Sequence, residues 1–336
     1  MKDNPSLQAD MVVLAIGVTP DTVLAKEAGL ELGIKESIVV NDRMETSVPD
    51  IYAAGDAVQV KHYVTGNDAL ISLAGPANKQ GRIIADNICG GDSRYLGSQG
   101  SSVIKVFDMT AATTGINETN AKKSGLEVDT VILSPMSHAG YYPGGKVMTM
   151  KVVFEKESYR LLGAQIIGYE GVDKRIDVLA TAIHAGLNAT QLKDLDLAYA
   201  PPYSSAKDPV NMAGFMIDNI AKGTLKQWHL EDMDKISRDK DVVLLDVRTV
   251  GEFSMGHIDG FKNIPVDELR ERISEIEKGK PVYLICQSGL RSYIASRILE
   301  GNGYETYNFS GGFRFYDTVV NDRALIERAY ACGMDY

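Results

Sequence analysis

The segment Val282-Tyr283-Leu284-Ile285-Cys286-Gln287-Ser288-Gly289-Leu290-Arg291-Ser292 carries the clearest chemistry in the chain. It reads as a buried strand ending in a cysteine, then a short loop, then a helix. A cysteine at the C-terminal end of a parallel strand stands where α/β sheets hold their ligands. Successive N–H groups of the loop can converge on one centre with the helix dipole behind them, which favours negative charge on sulfur. The thiolate is the nucleophilic form of a cysteine. Gly289 permits a positive φ in so tight a loop. Gln287, Ser288, Leu290 and Ser292 complete the cradle, and Arg291 adds a cation at its rim. An isolated free cysteine after a buried strand is ordinarily a small, inert hydrophobe. The glycine and arginine that follow Cys286 point to the reactive reading.

Three other stretches could bind or react. Thr46–Ala57 closes a strand with Gly55-Asp56, followed by Ala57. A carboxylate there can accept from a ribose or ribityl hydroxyl, although Gly-Asp is also a common turn. His138-Ala139-Gly140-Tyr141-Tyr142-Pro143 and Leu197-Ala198-Tyr199-Ala200-Pro201-Pro202-Tyr203 place tyrosines in loops. A phenol can donate a hydrogen bond to a developing thiolate, and a loop tyrosine can equally pack at an interface. Lys207 could touch a phosphate or simply lie on the surface.

Elements must hold these residues in place. Met11–Ile16 reads as a fully buried strand, Asp21–Ala28 as a helix, and Ser37–Val40 and Ile51–Ala54 as short strands. Asp68–Cys89 has a long helical pattern broken at Gly75-Pro76. The Gly- and Ser-rich run 90–102 reads as a linker. Strands follow at Val103–Phe107, Thr130–Ser134, Val147–Phe154 and Leu161–Ile167. Helices are expected at Asn117–Ser124, Val172–Ala185 and Pro209–Ile220. Strands first and helices last suggest α+β. Beyond Thr224 the pattern is Val242–Val247 strand, Val266–Ile276 amphipathic, Val282–Cys286 strand, Ser292–Asn302 helix and Thr306–Phe309 strand. That alternation reads as a small parallel α/β domain.

The chain has 336 residues, which suits two or three domains. A net charge of −10 argues against nonspecific binding to nucleic acid or anionic membrane. No apolar run approaches the ~20 residues of a membrane span, and no secretory signal opens the chain. Three sparse cysteines (Cys89, Cys286 and Cys332) fit a reducing cytoplasm rather than a disulfide framework. Cys89 reads as structural. The cysteines and five histidines show no metal-ligand spacing.

Residues 230–336 resemble the rhodanese sulfurtransferase family. The resemblance rests on Leu245-Asp246-Val247-Arg248, Glu252-Phe253, Gly256-His257-Ile258-Asp259-Gly260, Asn263-Ile264-Pro265, the Cys286 loop and Gly311-Gly312. It implies that Cys286 takes up sulfane sulfur as a persulfide, with Arg291 and Arg248 in electrostatic or structural parts. Asp246, Glu252 and His257 are then mainly structural. Gln287 stands where some members have a second basic residue, which makes an anionic donor such as thiosulfate less assured.

Residues 8–91 resemble the C-terminal part of the FAD-binding domain of pyridine nucleotide–disulfide oxidoreductases. The resemblance implies FAD contacts for Gly55, Asp56, Ala57, Leu73, Ala74, Pro76 and Asn78. Residues 101–222 resemble that family's dimerisation domain. Their tyrosine segments are similar to coenzyme A-disulfide, persulfide and polysulfide reductases, which implies a homodimer in which Tyr199 and Tyr141, preferred over Tyr142, reach the partner's active site.

No GxGxxG fingerprint and no match to the family's redox cysteine occur in the sequence. The expectation is therefore a C-terminal portion of a longer FAD- and NAD(P)H-dependent enzyme acting on coenzyme A disulfide, persulfide or polysulfide. Its expected parts are a partial Rossmann-like segment (1–91), an α+β dimerisation domain (101–222) and a parallel α/β rhodanese domain (230–336). A shared chain and an acidic linker near Glu231–Asp241 suggest passage of sulfur between two cysteines. The competing expectation is a dimerisation and docking module with an active or thiol-binding rhodanese domain and no reductase activity.

Overall fold

A computed structural model describes residues 8–331. Cys332 and the outermost residues of the first and last expected domains lie outside the described residues. Contacts group the described residues into two compact units, one of 8–102 with the helix end 325–331 and one of 103–324, and each is described by itself.

The first unit holds helix α1 (Val23–Glu27), the two-residue antiparallel strands β1 (Val60–Lys61) and β2 (Asp68–Ala69), and helix α2 (Ala74–Ile88). Its small core is Met44, Val58 and Val60, packed by Ile38, Ile83 and Ile84. Met11–Ile16 is neither a strand nor buried: Met11 is 80% and Ile16 85% exposed. An extended segment becomes a strand only where neighbours take its N–H and C=O groups. Among the described residues this one has no ladder partner. The expected strands at 37–40 and 51–54 shrink to isolated bridges, Ile38 to Leu32 and Val58, and Tyr52 to Glu45. The long helix starts only at Ala74, because Asp68–Ala69 pairs with β1. Pro76 sits in its first turn, where no N–H is needed, so it opens the helix instead of kinking it. The Gly/Ser-rich run after α2 is strapped down. Asn87 bonds the backbone of Ser93, and the Tyr95 N–H donates to the Asp42 carbonyl at 2.7 Å.

The second unit begins with an antiparallel sheet. Its strands are β3 (Ser102–Val106), β4 (Met109–Gly115), β5 (Val128–Leu133), β6 (Met148–Glu155) and β7 (Leu161–Gly168), with α3 (Glu118–Lys123) between β4 and β5. The order β3-β4-β7-β6-β5 leaves β5 at an edge. Helices α4 (Val172–His184) and α5 (Pro209–Ala221) follow, and α4 packs on β4 and β7. The expected α+β order holds. Strand β4 is the element the sequence reading lacked, since its Thr- and Ala-rich run shows no apolar alternation.

A parallel sheet completes this unit. Its strands are β8 (Gln227–Trp228), β9 (Val243–Asp246), β10 (Lys262–Asn263), β11 (Val282–Ile285) and β12 (Thr306–Phe309). Helices α6 (Met233–Ile236), α7 (Val250–Met255), α8 (Leu290–Glu300) and α9 (Gly312–Ala331) join or follow them. The order β10-β9-β11-β12-β8 reverses direction between β9 and β11, so the ligand crevice of such a sheet falls at their C-terminal ends. Period-2 alternation sends Val282, Leu284 and Cys286 into one core with Ala295 and Leu299 of α8. Ile285 goes to the other, with Trp228 and Phe309. The amphipathic stretch 266–276 forms turns and a 3-10 segment, not an α-helix. The acidic stretch 231–241 is no linker either. Met233 and Ile236 on its short helix pack into the cluster around Trp228, while its charged residues are exposed.

Candidate functional site

Strand β11 delivers Cys286 to the switch point, and the chain turns directly into α8. The sulfur is buried. It accepts hydrogen bonds from the Gly289 N–H at 3.1 Å and from Ser292 Oγ at 3.2 Å. Gly289 has φ +96°, the conformation that lets the loop fold back on the sulfur. The outside of the loop is braced from below. Phe313 N–H donates to the Cys286 carbonyl at 2.8 Å and Arg314 N–H to that of Gln287 at 3.2 Å. Asn308 Nδ2 donates to the Gly289 carbonyl at 3.0 Å. Gly312 lies so close that an added Cβ would stand 2.7 Å from the Ser288 nitrogen and 2.8 Å from the Cys286 oxygen.

The two arginines of this region are both engaged. Arg248 is buried against Asp246, with Nη2–Oδ2 at 2.7 Å, and its guanidinium lies 3.8 Å from the Phe313 ring centre. Its part is structural. Arg291, the cation expected at the rim of the cradle, is paired with a carboxylate. Its Nη1 and Nη2 meet the two oxygens of Glu252 at 2.7 and 2.6 Å. Glu252 also accepts from the Thr249 N–H and hydroxyl at the start of α7. The Arg291 bonds lead the groups that hold its carboxyl at about 2, against the partial burial that opposes them. His257 stacks on Phe253, is exposed, and does not reach the loop hydrogen bonds of Cys286.

The antiparallel half of this unit brings Tyr141 and Tyr199 together. Their hydroxyls are 2.6 Å apart, and both side chains are exposed. That bond, with some burial, raises the Tyr199 phenol above its ordinary value. Tyr142 turns away to an edge contact with His138. Arg175 of α4, 1% exposed, holds both tyrosine loops. Its Nη2 donates to the Ser137 carbonyl at 2.9 Å, to the Tyr203 carbonyl at 3.3 Å and to Asp208 at 3.0 Å. A cavity of about 550 Å³ opens beside this knot, lined by Ser137, His138, Lys174, Tyr199, Pro202 and Tyr203. Lys207 lies over the Phe215 ring at 5.4 Å. Sequence reading missed Arg175. Its signal was a charge on the apolar stripe Val172, Ile176, Leu179, Ile183, where only a paired arginine could be buried.

In the first unit, Gly55–Ala57 forms a 3-10 turn tied to α2 by the Gly55 N–H, which donates to Gln80 Oε1 at 2.7 Å. Asp56 is exposed. Helix α2 begins after Leu73 without a side-chain cap, and the Asn78 side chain returns to the Ala74 carbonyl. An exposed carboxylate and an uncapped helix N-terminus on two tied elements fit the hydroxyl chain and electron-rich ring edge of a flavin. Cys89 ends α2 and is exposed.

The chain thus carries three constellations: a switch-point cysteine loop on a parallel sheet, a pair of facing tyrosines beside an antiparallel sheet, and a Gly-Asp turn tied to a helix start. Family models agree segment by segment. Residues 1–81 match pyridine nucleotide-disulphide oxidoreductase, 101–209 its dimerisation domain, and 229–317 a rhodanese-like domain. The chain belongs to the pyridine nucleotide-disulphide oxidoreductase family and carries a rhodanese-like domain.

Among its relatives is the "NAD(P)H sulfur oxidoreductase (CoA-dependent)" of Pyrococcus furiosus, 38% identical over 62% of this chain and 47% of that protein. The solved structure of reduced Bacillus anthracis CoADR-RHD is 49% identical, covers 94% of this chain and 57% of that one, and has a TM-score of 0.91. A NAD-dependent persulfide reductase from A. fulgidus is 42% identical over 92% of this chain and 56% of its own, with a TM-score of 0.84. The chain spans about half the length of the curated relatives it matches. No helix of the described residues is long and apolar enough to cross a membrane.

Proposed function

We propose that Cys286 carries sulfane sulfur as a persulfide, in a chain that serves NAD(P)H- and FAD-dependent reduction of coenzyme A disulfide, persulfide or polysulfide. The observation that carries the first half is the sulfur itself. It sits at the switch point and receives an N–H and a hydroxyl, the two donors an anionic persulfide would need. The reading of the second half is supported by the Tyr141–Tyr199 hydroxyl pair, exposed and braced by Arg175, which suits donation of a proton to a departing thiolate across a homodimer. Gly55, Asp56 and Ala57, with Leu73, Ala74, Pro76 and Asn78 at the α2 N-terminus, would hold the FAD, which supplies electrons to a disulfide when bound. We place the domains at 1–91, 101–222 and 230–336, and the protein in the cytoplasm, where free thiols persist.

One observation favours a second reading for the chain as it stands. Among the described residues of the first unit, 11–16 lie outside any sheet and the ladder is the two-residue β1–β2 pair, not the parallel sheet that frames a dinucleotide site. In that reading the first two segments dock and dimerise, and only Cys286 does chemistry.

The test is the intact mass of the purified chain after exposure to thiosulfate or to an organic persulfide, with Cys286→Ser alongside. A gain of one sulfur on the wild type and none on the variant is expected. No gain from either donor would leave the docking reading. A flavin absorption spectrum of the same sample separates the two readings of the first half.

A further inference from the structure

Two cations lie near Cys286, and each is matched by a carboxylate. Arg248 is held by Asp246 inside the core. Arg291 is held by Glu252 through two short bonds in fork geometry. Glu252 is fixed on its other side by Thr249, whose N–H lies 3.0 Å and whose hydroxyl lies 2.8 Å away. It therefore cannot swing off without also giving up the cap of α7. The bridge joins the start of α7 to the first turn of α8, the helix that the cysteine loop enters. Its neighbours along the chain, Val250, Met255 and Leu290, are exposed apolar residues.

We infer that Glu252 sets the charge selectivity of the Cys286 loop. By holding Arg291 it leaves the bridge electrically neutral, so organic persulfides load the cysteine in preference to the thiosulfate dianion. The inference rests on the reading of Cys286 as a sulfur carrier. In the favoured reaction the Cys286 thiolate attacks the outer sulfur of R–S–SH. The Cys286 S–S bond forms, the donor S–S bond breaks, and R–S⁻ leaves and takes a proton from solvent. The sulfur moves without net oxidation. With thiosulfate the same attack expels sulfite, but the reacting pair then gathers three negative charges. The neutral loop N–H groups and the Ser292 hydroxyl must steady them while Arg291 is occupied.

The experiment measures initial rates of sulfur uptake on Cys286 by intact mass, with thiosulfate and with 2-hydroxyethyl persulfide, whose organic part is uncharged. Glu252→Gln removes one carboxylate charge and keeps the shape. It should raise the thiosulfate-to-persulfide rate ratio about tenfold and make the thiosulfate rate fall more steeply with salt. The double variant Glu252→Gln/Arg291→Gln has no charge in the bridge and should return the ratio to within about twofold of wild type. An unchanged or lowered ratio in Glu252→Gln overturns the inference. So does a double variant whose ratio falls tenfold below wild type, since Arg291 would then already serve the anion. If wild type takes sulfur from neither donor, the carrier reading itself fails and this inference falls with it.

Discussion

The hydroxyl of Ser292 is shared between the Cys286 sulfur at 3.2 Å and the Gly289 carbonyl at 3.1 Å. Ser292→Ala removes a hydrogen-bond donor to the Cys286 sulfur, a loss of about 1.5–3 kcal/mol to the thiolate form that reacts. Alkylation of Cys286 by iodoacetamide at neutral pH should slow by roughly tenfold or more, with the fold intact by circular dichroism. An unchanged rate would mean that the Gly289 N–H alone governs the thiolate. At this scale much was legible in the sequence. The Cys-x-x-Gly-x-Arg spacing singled out the loop, and the two tyrosine segments singled out a pair that now shares a hydrogen bond. The partners were not legible. Glu252 lies 39 positions from Arg291, and no local pattern ties a capping-box glutamate to a distant guanidinium.

Strand β12 and the turn into α9 form the floor of the loop. Gly312 has φ +70° and no room for a side chain beneath Ser288. Gly312→Ala should push the loop off its floor and cost about 1–3 kcal/mol, from left-handed strain plus the clash. The measurements are urea unfolding and sulfur uptake on the same protein. A stable variant that loads sulfur at the normal rate would show that the floor does not shape the cradle. Elements with several periods of pattern, such as β6, β7 and α4, could be read from sequence because their apolar spacing is long enough to be distinctive. The two-residue strands β8 and β10 carry no period at all. The 11–16 segment is the opposite case. Its apolar content is that of a buried strand, but burial is a property of neighbours, and none of the described residues supplies a ladder.

At the scale of the second unit, the parallel sheet's domain is clamped to edge strand β5. Gln227 Nε2 donates to the Thr130 carbonyl at 2.8 Å, and Ile132 N–H donates to Ser310 Oγ at 3.1 Å. His229 Nε2 meets Asp129 at 3.0 Å. Burial alone would raise the Asp129 carboxyl. The hydrogen bond and charge of His229, with the Thr130 N–H, outweigh it and hold it low. A carboxyl depressed on folding stabilises fully above its unfolded value, and that part is lost as pH falls through the folded value. His229→Ala should therefore weaken the clamp at neutral pH and flatten the acid side of the stability curve. In calorimetry the two halves of this unit should begin to melt separately. A single unchanged transition would mean that the clamp adds nothing to their cooperation.

The same clamp has a consequence for colloidal behaviour. Strand β5 is the outer rung of its sheet, and a bare outer rung invites other chains to pair with it. Gln227 and Ser310 occupy a carbonyl and an N–H on that rung. The sulfur domain thus doubles as an edge guard, and a truncation made to remove its cysteine would announce itself first as precipitation.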